Sequence, residues 1–361
     1  MDSMHKSSCL FTVSKNAKKA TFEITRNCNY SCDHCCTSSS NRIPEKLGTD
    51  QTKAVFDELG INGFSTVYSS GGEPFTRSDI TGVLDHATLN PNIRTLNIAS
   101  NGSLLGEHET EWISGNEKIG SVLISVDGHN PAIHNGLRCA EKSFEDATDA
   151  IKRLVKRNAR IRMGTVIWKD SVAYLRPIAD LAHSLGVNTL FYNWLIPIGR
   201  AALNPKIVPD PALYLPVARD LHQIQREYRD RVNIDFHRFY PIDNDFDDCP
   251  AGDTYIHVLD DGRVAPCSWI AKLAPQFITH DHIGDKPLKE LIQYPEIASF
   301  REMVRLHRET YGPGCMAMTL SETGTFDAHD PLKYPEGLYF QLERGERNVR
   351  QNTPNFLRIY R

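Results

Sequence analysis

The sequence predicts an α/β protein: a parallel sheet covered by helices, followed by a smaller α+β extension. Three observations carry this. Strand-like and helix-like segments alternate from Thr21 to about Gly199, a polar, proline-bearing connection then breaks the alternation, and a second group of cysteines follows it. The first strand is the alternating stretch 21–25, TFEIT. A helix over 50–59 is expected to stop at Gly60, and a strand follows at 65–70. Two more strands end at Asn101 and Gly102 and at Asp127 and Gly128. Ser143 with Asp146 three residues on opens a helix in the Ser-x-x-acid manner, its apolar stripe being Phe144, Ala147, Ile151, Leu154 and Val155. Strands at 161–167 and 189–195 flank a helix ending near Leu185 and Gly186, which makes six strand–helix units. Beyond Arg200, a helix is expected over 211–228. Segments 255–258 and 263–265 flank Asp260, Asp261 and Gly262, a hairpin signal, and a helical segment spans 295–306. There is no internal repeat and no low-complexity stretch.

With 361 residues the chain can bury a large core and carry more than one cooperative unit. Its net charge of -4 and pI near 6.4 supply no basic field, and no Lys/Arg block tracks phosphates, so a nucleic-acid partner is disfavoured. The amino terminus lacks an apolar signal region and no apolar run is long enough to span a bilayer, so a soluble, cytoplasmic protein with no membrane partner is expected. Nine cysteines in such a compartment argue for metal or redox chemistry over a disulfide scaffold.

Cys28, Cys32 and Cys35 stand at Cys-x3-Cys-x2-Cys spacing just after the first strand. Three soft ligands on one short loop can hold three irons of a cubane cluster and leave the fourth open, whereas a closed structural zinc site wants four ligands. A zinc knuckle or unligated thiols would also account for these three cysteines alone. Neither would account for the turn Gly71, Gly72, Glu73 and Pro74 after the second strand, whose glycines permit a tight bend and close approach. Cys36 adjoins a ligand but breaks the spacing and reads as a packed or spare thiol.

These segments resemble the radical S-adenosylmethionine (radical SAM) superfamily. The resemblance implies a partial (β/α)6 TIM-type barrel with a C-terminal α+β iron–sulfur extension, its chemistry at the carboxyl ends of the strands. It also implies a [4Fe-4S] cluster on Cys28, Cys32 and Cys35. S-adenosylmethionine would meet the backbone of the turn formed by Gly71, Gly72, Glu73 and Pro74, with Asn101, Ser125 and Asp127 at the following strand ends. Arg138, in the loop shared with His134, would support the cofactor carboxylate. Many relatives have an aromatic residue just before the third cysteine, where this chain has His34. The implied mechanism is one-electron reduction of the cluster, from a donor such as flavodoxin or ferredoxin. Cleavage of S-adenosylmethionine then gives a 5′-deoxyadenosyl radical, which takes hydrogen from an unactivated carbon.

Cys249, Gly262 and Cys267 form a Cys-x12-Gly-x4-Cys hairpin, whose ends should meet, and Cys315 returns after the next helix. This half, with 282–291, resembles the SPASM and twitch extensions. The resemblance implies one auxiliary [4Fe-4S] cluster on Cys249, Cys267 and Cys315, since Met318 stands where a further ligand would be expected; a structural zinc or plain core thiols are the alternatives. The resulting organisation is an N-terminal segment 1–20, a core 21–200, a linker and helix 201–240, the cluster extension 241–318 and a tail 319–361. Tyr339, Phe340 and Phe356 of the tail are candidates to close the barrel edge. His280 and His282 could form a metal patch or a solvated turn. Cys139 could give a hydrogen atom to a substrate radical or be a spare thiol, and Ser268 replaces the acid that follows the hairpin cysteine in dehydrogenating relatives.

Two substrate classes fit. One is a ribosomal peptide undergoing crosslinking, thioether formation or epimerisation, with a standalone peptide-binding protein as a candidate partner. The other is a small aminosugar or cyclitol oxidised at an alcohol carbon. A non-enzymatic iron–sulfur carrier is the third reading, against which the Gly-Gly-Glu-Pro turn speaks.

Overall fold

The computed structural model describes residues 17–237 and 249–330. In chain order the elements are β1 (Lys19–Thr25), α1 (Thr49–Ile61), β2 (Thr66–Gly71), α2 (Ile80–Leu89), β3 (Thr95–Ser100), α3 (Glu107–Gly115) and β4 (Ile119–Ser125). Then come α4 (Pro131–Arg138), α5 (Ser143–Lys156), β5 (Ile161–Ile167), α6 (Leu175–Ser184), β6 (Thr189–Trp194), α7 (Arg200–Leu203), α8 (Tyr214–Glu227) and β7 (Asn233–His237). The extension holds β8 (Tyr255–Val258), β9 (Val264–Ala265), α9 (Ile270–Leu273), α10 (Leu288–Leu291), α11 (Pro295–Tyr311) and α12 (Met316–Thr323).

One sheet runs β7-β6-β5-β4-β3-β2-β1-β8-β9, parallel throughout except for the β8/β9 hairpin. Helices connect the strands from β1 through β7, as a partial (β/α)6 barrel requires. Alternation along each strand sorts the two faces. Ala20, Phe22 and Ile24 of β1 are buried in the main core, and Phe22 meets Phe56 of α1 edge-to-face at 5.5 Å. Ile98, Ile124 and Ile256 continue that core, leaving Glu23, Asn97 and His257 to point to the opposite, inner face.

The hairpin forms as predicted, with Gly262 in the left-handed region at φ 82°. Four expectations are corrected. α1 runs past Gly60 to Ile61 and is capped by Asn62. Ser143 is the first residue of α5 rather than its cap, because its hydroxyl is already engaged by Ala140 O and Asn135 Oδ1, each at 2.9 Å. The segment read as linker and helix contains a seventh parallel strand, β7, paired to β6. α12 runs through the expected boundary between extension and tail. The first 16 residues, 238–248 and the tail from 331, with Tyr339, Phe340 and Phe356, lie outside the described residues.

Candidate active site

Parallel strands carry their carboxyl ends to one rim, and each predicted core segment follows one of them. The cysteine loop leaves β1 and closes on itself: Cys28 N donates to Ser40 O (3.1 Å), Cys35 N to Cys32 O (3.2 Å) and Ser38 N to Cys35 O (3.3 Å). Cys28, Tyr30 and Cys32 form a small buried cluster against which Cys35 packs, so the three predicted ligands come together. Backbone amides of Tyr30 and Ser39 donate to the Cys28 and Cys35 sulfurs, each at 3.4 Å. Burial pushes the Cys28 thiol up to about 12 and the Cys32 thiol to about 11, so a soft metal entering here displaces protons. Cys36 is exposed and stands outside this cluster.

The second segment docks on the backbone that launches that loop. Gly72 N donates to Thr25 O (2.8 Å) and Glu73 N to Asn27 O (2.9 Å). A Cβ on Gly71, whose φ is 138°, would lie 2.1 Å from Thr25 O, and one on Gly72 would lie 2.0 Å from Asn27 O. The glycines are therefore needed against protein backbone. Glu73 is fully buried. Its Oε1 accepts from Ser100 Oγ (2.9 Å) and Phe75 N (3.2 Å), and its Oε2 from Asn101 N (2.7 Å), so it ties the β2 rim to the β3 rim. Burial raises its carboxyl to about 7 against the pull of those donors. Asn101 in turn donates to Asn29 Oδ1 (2.9 Å) in the cysteine loop, and Pro74 is buried in a short turn after Glu73. Ser125 ends β4 and is partly exposed.

Asp127, fully buried, braces the next rim. Oδ1 accepts from Val166 N (2.9 Å), while Oδ2 takes the Arg138 fork at 2.7 and 2.6 Å and lies 3.5 Å from His34 Nε2. Burial works to raise this carboxyl, but Arg138, joined by His34, outweighs it and holds the group at about 2. His134 Nδ1 accepts from Asp127 N (3.0 Å), and burial depresses it to about 3, so it stays neutral. Asp127→Asn is expected to lower stability by about 2 kcal/mol through loss of a charge-assisted pair. A folded-state value below the ordinary one means that contribution is present above about pH 4 and is lost as pH falls through about 2. Urea unfolding of both proteins at pH 7 and pH 3 reads this: the gap between them should shrink at the lower pH.

Cys249, Cys267 and Cys315 each pack against one apolar cluster that includes Ala251, Ile270, Phe300 and Met316, but among the described residues no three His, Cys, Asp or Glu side chains are grouped closely enough to hold a metal ion. Gly252 N donates to Pro266 O (3.1 Å), holding the hairpin ends together, and Trp269 N donates to Cys267 Sγ (3.4 Å). His280 pairs with Glu296 (2.7 Å) and His282 with Asp285 (2.9 Å), so the two imidazoles serve separate carboxylates, as a solvated turn would have them. Cys139 is exposed and contacts Asp33 at 3.4 Å.

Two features were not singled out in the sequence. Arg200 reaches the cysteine loop from the end of β6, and Glu23 of β1 is held by His257 of β8 and Lys272 of α9. The three thiols on one loop are not grouped as a ready-made metal site among the described residues, but three soft donors are the chemistry an iron–sulfur cluster takes. Three buried nitrogens at the loop also have no partner among the described residues: Arg26 Nε, His34 Nδ1 and Arg200 Nη2. Residues 22–182 match the radical SAM superfamily. This stretch is a radical SAM domain. Such domains use a [4Fe-4S] cluster and S-adenosylmethionine, and the SPASM-type relatives carry auxiliary clusters.

The chain is 24% identical to an AdoMet-dependent heme synthase of Methanosarcina barkeri over 345 residues, covering 86% of this chain and 94% of that one. It is 27% identical to the antilisterial bacteriocin subtilosin biosynthesis protein AlbA of Bacillus subtilis over 260 residues, 70% of this chain and 55% of AlbA. In three dimensions it resembles native anSMEcpe with bound AdoMet at a TM-score of 0.69 and 15% identity, over 92% of this chain and 99% of that one, a likeness of fold. No helix among the described residues is long and apolar enough to cross a membrane.

Proposed function

We propose that this protein is a radical SAM enzyme that cleaves S-adenosylmethionine reductively and oxidatively modifies a peptide, aided by one auxiliary [4Fe-4S] cluster. The observation that carries the reading is the gathering of Cys28, Cys32 and Cys35 on a loop locked to the Gly-Gly-Glu-Pro turn. In this reading those cysteines hold the core cluster, which when bound supplies the electron that breaks the carbon–sulfur bond. Amides of Gly72 and Glu73 are engaged within the protein, so the turn offers carbonyl oxygens, the acceptors an ammonium group needs. Glu73, Asn101 and Asp127 act by holding the rims in place, Asp127 presents Arg138, and Ser125 lines the cofactor side. Cys249, Cys267 and Cys315 hold the auxiliary cluster. The likeness to AlbA, which runs past the radical SAM domain into the extension, supports a peptide substrate. A second reading is a tetrapyrrole substrate, favoured by the near full-length likeness to the heme synthase.

Anaerobic iron and sulfide analysis with electron paramagnetic resonance (EPR), on the wild type and a Cys28→Ala, Cys32→Ala, Cys35→Ala variant, tests the reading. The variant is expected to keep about four irons and to make no 5′-deoxyadenosine with reductant and S-adenosylmethionine. Cleavage by the variant would sink the core assignment, and absence of iron from it would remove the auxiliary cluster. Mass shifts on peptide or on porphyrin decide between the substrates.

A further inference from the structure

Arg200 stands 168 positions from Cys32, where β6 hands over to α7, yet it is bonded to the cysteine loop at three points. Its backbone N donates to Cys35 O (3.0 Å), Nε to Cys32 O (2.7 Å) and Nη1 to Ser39 O (2.7 Å). The approach is as close as backbone allows. Gly199 has φ 59°, and a Cβ on it would fall 2.4 Å from Cys35 O and 2.5 Å from Cys36 O. The fourth donor, Nη2, is buried and has no partner among the described residues. A buried cationic N–H beside three thiols asks for an acceptor that the described residues do not provide.

We propose that Arg200 is a positioning residue that clamps the cysteine loop and directs Nη2 to a sulfur of the cluster held by Cys28, Cys32 and Cys35, raising that cluster's reduction potential. The inference rests on the core-cluster reading above. Reduction adds one electron and no proton, so the cluster becomes more negative; a nearby cation and an N–H···S bond stabilise that state more than the oxidised one. Arginine suits the task because its planar fork places donors on three separate nitrogens, two for the carbonyls and one left over, whereas a lysine's three donors converge on a single nitrogen.

The test uses the reconstituted full chain and a redox titration followed by EPR, reading the signal that changes when S-adenosylmethionine is added. Arg200→Lys and Arg200→Met should retain iron. The Met variant is expected to show about a tenfold lower ratio of reduced to oxidised cluster at a fixed potential, which for one electron is ~59 mV, with Lys intermediate. A full iron content with an unchanged midpoint in both variants overturns the proposal while leaving the core-cluster reading intact. Should the variants lose iron, wild-type protein carrying 15N-guanidino arginine still decides. Nitrogen coupling to the reduced cluster, retained when Arg26→Lys and Arg138→Lys are introduced in turn, supports the contact, and no coupling overturns it. Failure of the core-cluster reading looks different: an S-adenosylmethionine-responsive signal that survives loss of all three core cysteines.

Discussion

Glu23→Ala is expected to destabilise the fold by roughly 3–5 kcal/mol, because it leaves two nitrogen donors around an emptied carboxylate site. Glu23 Oε1 lies 3.1 Å from His257 Nε2 and 2.8 Å from Lys272 Nζ, which also reaches Oε2 at 3.1 Å. The three side chains are 3%, 1% and 17% exposed, so little water screens them. Their elements are β1 of the core and β8 and α9 of the extension, and α9 follows Cys267 directly. The loss therefore falls on the seam that sets the extension's cysteines against the core. Glu23→Ala with Lys272→Met removes both charges and should recover most of the stability, since the larger penalty lies in the unpaired charge. Burial works to raise the Glu23 carboxyl, but Lys272 and His257 overcome it and hold it far below the ordinary carboxylate range. The contribution is thus complete above the unfolded value of about 4.5 and lost as pH falls toward the folded one. Urea midpoints of the three proteins at pH 7 read the effect. A double variant as weak as the single would mean that packing, not charge, holds the seam.

What was legible in the sequence was what local pattern decides. β5 begins and ends where the run 161–167 does, because an aliphatic stretch bounded by polar turns has one local solution. The Asp-Asp-Gly hairpin was equally local. β7 was not legible: Asn233, Asp235 and His237 dilute its apolar pattern, and it is specified by pairing with β6 and by the Arg162 to Asp235 bond at 3.0 Å. The pairing of β8 with β1, which joins Lys19 to Tyr255 and Phe22 to Val258, likewise has no local signature. The site divides in the same way. Its cysteines and glycines announce themselves by spacing, while the partners of Glu73, Asp127 and Arg200 come from distant strands and loops. One signal was available. A carboxylate between Phe22 and Ile24, both core residues of one strand, must face inward and needs buried cations to meet it.

Gly72→Ala should empty the core cluster while sparing the extension. Gly72 is not held in a left-handed conformation, so its requirement is one of space alone. A Cβ would sit 2.0 Å from Asn27 O, 2.7 Å from Asn27 C and 3.0 Å from Arg26 C, all backbone, and no rotamer change can relieve that. Relief requires the turn to part from the cysteine loop, losing the bonds from Gly72 N to Thr25 O and from Glu73 N to Asn27 O. Overpacking and two lost hydrogen bonds together amount to about 2–5 kcal/mol. The displacement would pass through Glu73 to Asn101 and from Asn101 to Asn29, reaching the loop from its other side. Gly82→Ala is the matched control. Its Cβ would meet nothing within 4 Å in α2, and alanine in a helix should add about 0.5–1 kcal/mol. The two substitutions are thus expected to move the melting temperature in opposite directions, with only Gly72→Ala losing iron and 5′-deoxyadenosine formation. Wild-type iron and turnover in Gly72→Ala would show that the turn and the loop can separate without harm to the site.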